Sequence, residues 1–311
     1  MRIFEDTHFD FLSSNKDSFI ISGILLTVAI VSLVYPGLEA GIDFTGGTEF
    51  TVETAEPVAP TEARGALDGV LGAGVEVKEF GDPRTLLVRT GVGGDAEALQ
   101  AGLVTTFAEA FPGSSPEVIA TSSVGPRIAS DLAEKAVFLV LGALFVILLY
   151  IFVRFDWRYA LAAVLTLAHD VVVVLGLFAL FHNVTPFSLQ IDQAIIAALL
   201  TIVGYSINDT VVVFDRIREY ALIFKTEPFP EMANRAINTT LSRTVLTSGT
   251  TLLTVLVLFL IGGEVLKGFS LALLVGIAVG TYSSIFVATP IVILLREKYG
   301  AGAPKLSTAT S

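Results

Sequence analysis

Apolar runs long enough to cross a bilayer, roughly 17 to 25 residues with little charge, recur six times along the chain. They predict membrane helices over 19–36, 135–153, 159–181, 191–215, 243–262 and 268–295. No small-residue cleavage site of the Ala-x-Ala type follows the first run, so it reads as a retained helix. Between the first two runs the pattern changes to short periods. Loose alternation over 44–54, interrupted by Gly46-Gly47, predicts a strand with a turn or bulge. Residues 60–71 read as a helix with Thr61 as N-cap and Glu62 in its first turn. Strands are expected over 75–80 and 85–90, joined by a Gly81-Asp82-Pro83-Arg84 turn. A second helix over 95–111 ends at Pro112-Gly113, and a last strand covers 117–124. The order βαββαβ is the split βαβ, or ferredoxin-like, arrangement. Pro126 and the run 127–135 then return the chain to the membrane as a helix. The predicted fold class is therefore a polytopic α-helical membrane protein with six transmembrane helices and one external α+β ferredoxin-like domain.

Composition agrees: 53% hydrophobic residues, 16% charged and a mean hydropathy of +0.75 describe an integral membrane protein. Charge then sets an orientation, because Lys and Arg concentrate in short cytoplasmic loops. Arg2 and Lys16 precede the first span, and Arg154 and Arg158 separate the second from the third. Arg216, Arg218, Lys225, Arg235 and Arg243 lie between the fourth and fifth, and Arg296, Lys298 and Lys305 follow the sixth. Residues 1–18, 216–242 and 296–311 are thus expected in the cytoplasm, with 37–134 outside. That external segment holds five Lys and Arg against sixteen Asp and Glu, which equals the net charge of −11 of the whole chain. Phosphates would be repelled, so nucleic acid is not an expected partner. With no cysteine, neither disulfides nor a thiolate metal site is expected.

Candidate chemistry lies inside the membrane. The run Gly204-Tyr205-Ser206-Ile207-Asn208-Asp209-Thr210 places a carboxylate in the fourth span. A charge there is costly, so such a residue usually faces the bundle interior and marks an ion or proton path. Counted from Arg216, Asp209 lies about 10 Å into the inner leaflet at 1.5 Å per residue. Burial disfavours the charged form of a carboxyl group and a neighbouring cation favours it. Arg243, at the inner end of the fifth span, is the expected counter-ion, although it could also be an ordinary cation snorkelling to the inner surface. Helical spacing from Arg243 puts Thr247, Thr250, Thr251 and Thr254 on one face. That stripe could hold a file of waters or simply let helices pack closely. His169-Asp170 lies about 18 Å into the third span. It reads either as a proton relay toward Asp209 or as a polar contact between helices or subunits. Asp215, Arg216, Arg218 and Glu219 read as surface charges ending the fourth span.

Glycines add little. Gly41 to Thr48 lacks the lysine of a nucleotide-binding loop and reads as a turn joining the first helix to the first strand. Gly276-x-x-x-Gly280 is a close-packing motif. No metal cluster, catalytic triad or Gly-x-Ser-x-Gly stands in a usable context, so no covalent chemistry is expected.

Gly41-Ile42-Asp43-Phe44-Thr45-Gly46-Gly47-Thr48, Gly204 to Glu219, Leu241-Ser242-Arg243-Thr244 and Thr247-Ser248-Gly249-Thr250-Thr251 together resemble the SecF members of the SecD/SecF protein-export family. The resemblance covers essentially the whole chain. It implies half of a resistance-nodulation-division (RND) type bundle and SecD as partner. It further implies the SecYEG channel, a translocating preprotein and auxiliary Sec subunits such as YajC. It also implies protons as the coupling ion, with no other cofactor, and functional roles for Asp209 and Arg243. Two other readings stay open: a small-molecule exporter of the same superfamily, which normally carries twelve spans, and a scaffold for SecD and the channel.

Overall fold

The computed structural model describes residues 7–12, 15–72, 75–91, 95–185 and 187–300. Arg2, Lys305 and the side chain of Lys16, used above for orientation, lie outside these. The elements in chain order are α1 (Asn15–Val34), α2 (Ile42–Thr45), β1 (Gly47–Glu53), α3 (Pro60–Leu71), β2 (Glu76–Phe80), β3 (Asp82–Thr90), α4 (Ala96–Ala110) and β4 (Glu117–Val124). There follow α5 (Pro126–Arg154), α6 (Trp157–Phe181), α7 (Gln193–Ile223), α8 (Phe229–Ile261), α9 (Glu264–Ser283), a π-helical turn (Ser284–Ala288) and α10 (Thr289–Tyr299). Among the described residues six helical segments are long and apolar enough to span a bilayer: α1, α5, α6, α7, α8 and the α9–α10 unit.

The α+β domain is the expected βαββαβ unit. Its antiparallel sheet has the order β2-β3-β1-β4. Alternation along the strands divides the sheet's faces. Phe50, Val52, Val77, Leu86 and Val88 point to one side and are buried against Leu67, Leu71, Leu103 and Phe107 of α3 and α4. The other side carries Glu49, Thr51, Leu87 and Arg89 and faces the rim of the membrane bundle. It encloses there a cleft of about 300 Å³ with Asp43, Gln190, Asp192 and Phe269.

Three local expectations change. Phe44 and Thr45, expected to begin the strand, belong instead to a helical turn over Ile42–Thr45, in which Thr45 N–H donates to Gly41 O and Gly46 N–H to Ile42 O. The strand begins at Gly47, at φ +124°, where a Cβ would sit 2.4 Å from Thr90 O of β3. Helix α3 spans Pro60–Leu71 as expected, but its cap is Ala59, without a side-chain bond, so Thr61 is not its N-cap; proline's missing N–H suits the first turn. The turn after β2 shrinks to Gly81, at φ +81°, because Asp82 already pairs with Phe80.

Charged residues gather at the foot of the domain. Arg89, 9% exposed, pairs with Glu49 at 2.8 Å, Glu76 at 3.4 Å and Glu39 at 3.6 Å, and Glu39 also bonds to Lys78 and Gln190. Burial pushes the Glu39 carboxyl up, but Lys78 and Gln190 outweigh it and hold the group below the ordinary carboxylate range. Burial and then the Glu39 charge push Glu76 above its usual 4.5. A raised carboxyl pKa means that the folded state resists the ionised form. Replacing Glu76 by Gln should therefore raise the thermal midpoint of the purified protein at pH 7 by a small margin. The gain should fade as pH falls toward 4.5, where wild-type Glu76 is itself protonated; melting curves at the two pH values check this.

In the membrane bundle α6 and α7 are central. Gly176 of α6 packs on α1 so tightly that an added Cβ would lie 2.3 Å from Ala29 Cβ. Helices α7 and α9 approach through Gly276 and Gly280, where a Cβ would lie 2.3 Å from Ile202 Cδ1 and 2.9 Å from Ser206 Cβ. Apolar side chains of α5 remain largely exposed. The expected loop 216–242 is mostly helix: α7 runs on to Ile223 and α8 begins at Phe229. The reason is an apolar face, Met232, Ala233, Ala236 and Ile237, buried against Phe214, Ile217, Val292 and Ile293. The last span is broken by the π-helical turn. Pro290 cannot donate to the ladder, and the wider turn places Thr289 Oγ1 3.3 Å from Ser284 O, five residues back.

Candidate functional site

Helix α7 presents Ser206 and Asp209 to the bundle interior, three residues apart and so on one face. Asp209 is 3% exposed, and its Oδ2 accepts from Ser248 Oγ of α8 at 3.1 Å. Thr281 Oγ1 of α9 lies 2.8 Å from Ser248 Oγ. The carboxylate is thus held by a hydroxyl pair contributed by two other helices.

One turn along α7 is a second carboxylate. Asp170 of α6 is 1% exposed; its Oδ2 accepts from Ser206 Oγ at 2.7 Å and Ser283 Oγ at 2.9 Å, and its Oδ1 lies 3.0 Å from His169 Nδ1. The close approach at Gly280 is what brings α9, and with it Ser283, to this point. The His169 Nε2, Thr210 Oγ1 and Thr244 Oγ1 atoms are buried without a protein partner, which leaves each free to bind one further hydrogen-bonding group. His169, Asp170, Ser206, Asp209, Ser248, Thr281 and Ser283 form a polar seam across α6, α7, α8 and α9 in an otherwise apolar bundle. Both acids are bonded by rotatable hydroxyls, which can donate to a carboxylate or accept from a carboxylic acid. That is an arrangement able to hold a proton or give it up.

The structure brings His169 and Asp170 into this seam and leaves Arg243, Thr247 and Thr251 at its edge. Arg243 is exposed on α8 and makes no ion pair with Asp209, although its charge acts on the carboxylate across space. Thr247, Thr250 and Thr254 are exposed and Thr251 is half-buried, and each bonds back to a carbonyl of its own helix; Thr251 also accepts from Tyr205 OH at 3.3 Å. The inward face of α8 is instead Thr244, Ser248 and Val255. Anchoring a helical stripe on Arg243 selects the outward face, since a long cation turns toward water. Ser206, Ser248, Thr281 and Ser283 carry the contacts and were missed. The signal that could have found Ser206 is its spacing of three from Asp209.

Removing the Ser248 hydroxyl leaves Asp209 Oδ2 and Thr281 without their mutual link. Ser248→Ala should destabilise the bundle by about 1.5–3 kcal/mol, the order of a lost hydrogen bond to a charged group, while Ser248→Thr should retain most of the stability. Parallel thermal melts of the purified variants check both.

The family described as "Protein export membrane protein SecD/SecF, C-terminal" matches residues 104–298, and the "SecD/SecF GG Motif" matches residues 36–58. The chain belongs to the SecD/SecF family. The protein translocase subunit SecF of Rhodothermus marinus is 55% identical over 309 residues, covering 99% of this chain and 100% of its own. That of Desulfurispirillum indicum is 43% identical over 90% of this chain and 89% of its own. The crystal structure of SecDF, a translocon-associated membrane protein from Thermus, superposes with a TM-score of 0.84 at 39% identity. That match covers 94% of this chain and 39% of the SecDF chain. SecDF in its super-membrane-facing form gives 0.70 at 38% identity, over 96% and 40%. The chain therefore spans the whole of its SecF relative and about two-fifths of the SecDF chains. The six-span bundle with an α+β domain outside the membrane is the shared architecture of this SecD/SecF chain.

Proposed function

We propose that the protein is an accessory subunit of the Sec protein translocase in the cytoplasmic membrane. With SecD, it uses the proton motive force to promote late, post-ATPase steps of preprotein translocation and release. The observation that carries this reading is the buried seam with its two carboxylates, Asp209 and Asp170, neither of which is paired with Lys or Arg among the described residues.

In this reading Asp209 takes and releases the proton. Ionised, it accepts from Ser248; protonated, it becomes a donor, the Ser248 hydroxyl turns toward Thr281, and the pull from Arg243 is lost. Ser206 and the His169-Asp170 pair extend the path one turn along α7. The driving force is roughly 2.3 kcal/mol per charge per 100 mV plus about 1.4 kcal/mol per pH unit, enough to bias a two-state helix shift. The exposed Arg243 of α8, flanked by Thr247, Thr250 and Thr254, would be costly against lipid, which supports a second six-span subunit there; SecD fits by its presence in the SecDF structures. SecYEG and the preprotein are the further partners, YajC an auxiliary one, both termini lie in the cytoplasm, and the α+β domain lies on the external side. The chain acts as a transport subunit and not as an enzyme, with protons as its only coupling ligand.

The test is completion of preprotein translocation in vesicles carrying SecYEG and SecD, with and without this chain, followed by protease protection. The gradient should accelerate completion only when the chain is present. Equal acceleration without it would overturn the reading.

A further inference from the structure

Between α1 and β1 the chain is fastened to the head of α7. Ala40 pairs with Ile191 in a parallel bridge, in which Gly41 N–H donates to Ile191 O at 2.7 Å and Ile191 N–H to Glu39 O at 2.8 Å. Just beyond, Asp43 Oδ2 accepts at 3.0 Å from the backbone N–H of Gln193, the first residue of α7. The helix's own cap, Asp192, accepts from Ile195 N–H at 2.8 Å. Helix α7 is thus capped twice, once by its own sequence and once by the turn that begins the α+β domain. The first N–H groups of a helix have no partner within it and carry partial positive charge, so a second carboxylate is held there by both effects. Burial and the nearby Asp43 charge push Asp192 above the ordinary carboxylate range, as expected where two acids share one helix end.

The other side of the attachment is equally close. Turn α2 runs into β1 through Gly46 and Gly47, and β1 lies against β3 at Gly47 with no room for a Cβ. Glu39 bonds to Lys78 of β2 and to Gln190, and pairs with Arg89 of β3. A Cβ on Gly41 would lie 3.1 Å from Ile191 O. The domain's sheet, the turn α2 and the head of α7 therefore form one packed body. Asp209 sits sixteen residues further along the same helix, about 24 Å at 1.5 Å per residue.

We propose that Asp43 is a positioning residue for coupling: it holds the α+β domain to the N-terminus of α7, so that a shift of α7 on protonation of Asp209 carries the domain with it. This rests on the proton-coupled reading above. It gives the Gly46-Gly47 region a mechanical task, since the stretch must stay short and tight to transmit the shift.

The chain has no cysteine, so Ala40→Cys with Ile191→Cys can replace the attachment by a covalent one. Paired strands lie about 4.8 Å apart, inside the span of about 4.4–6.8 Å that a disulfide bridges. The assay is gradient-dependent translocation by the assembled complex, with Asp209→Asn run in parallel and disulfide formation checked by gel. Asp43→Ala should lower the gradient-dependent acceleration by about fivefold, the order expected for a lost carboxylate cap. Asp43→Asn, which keeps an acceptor oxygen, should retain most of it. The oxidised disulfide in the Asp43→Ala background should restore the acceleration, and reduction should remove it again, a rescue that general misfolding would not show. Normal activity of Asp43→Ala beside an inactive Asp209→Asn would overturn the inference alone. So would failure of the disulfide to restore activity, or a block imposed by the disulfide in the wild-type background, since the junction would then have to open. Normal activity of both Asp43→Ala and Asp209→Asn would overturn the proton-coupled reading and this inference with it.

Discussion

Asp209→Asn is expected to remove the whole gradient-dependent part of translocation while leaving the protein folded and assembled. Asparagine has nearly the shape of aspartate and keeps an oxygen to accept from Ser248, so the contact at 3.1 Å survives. What it lacks is a site that can bind and release a proton in this pH range. The gradient would then find no charge change to act on, and its roughly 2.3 kcal/mol per charge per 100 mV would do no work at α7. Under the proposed function, the gradient-independent part of translocation should continue. Asp209→Leu should do more damage, because the Ser248 hydroxyl would lose its acceptor in a buried setting, at about 1–3 kcal/mol for the unsatisfied group. Comparing the two variants for translocation and for the yield of assembled complex separates chemistry from packing. Loss in both measures for Asp209→Asn would mean a structural residue.

The second large effect is expected from Gly176→Val. Helix α1 crosses α6 at this glycine, where an added Cβ would lie 2.3 Å from Ala29 Cβ and 2.4 Å from Ala29 Cα. Those are atoms of the α1 backbone and its first side-chain carbon, so no rotamer change relieves the clash and the helix has to move bodily. The cost should reach the upper end of that seen for overpacked cores, ~3 kcal/mol or above. It should appear as loss of α1 docking and of monodisperse protein in detergent. Gly23→Ala on α1 is the matched control, since a Cβ there meets nothing within 4 Å. Normal chromatographic behaviour of Gly176→Val would contradict the packing account.

How much of this is legible in the sequence depends on how local the determining physics is. The six apolar runs and the βαββαβ order could be read because burial in lipid and alternation on a half-buried sheet both leave their period in the residues themselves. Asp209 could be read for a related reason: a carboxylate among apolar residues stands out wherever the helices pack. Its partners could not. Ser248 differs from Thr247 by one position, yet one faces Asp209 and the other faces out. Only the packing of α8 on α7 and α9 decides between them. Ser283 reaches Asp170 because Gly280 permits close approach, a three-helix coincidence that no single stretch encodes. The start of β1 reads as Phe44, three residues early, because the alternation from there fits a strand, whereas the turn Ile42–Thr45 is helical and attached to α7. Likewise the 216–242 stretch looked like a charged loop, and its helical ends follow from an apolar face visible only once α7, α8 and α10 are packed together.

The central claim is that Asp209 changes protonation state when the gradient acts. Infrared difference spectroscopy on the reconstituted complex, recorded across an imposed acid step, reads this directly through the carbonyl stretch of protonated carboxyl groups. The account predicts a carboxylic-acid band that appears in the wild type and is absent from Asp209→Asn, with any band from Asp170 remaining in both. A band of equal strength in wild type and Asp209→Asn, or none in either, would contradict it.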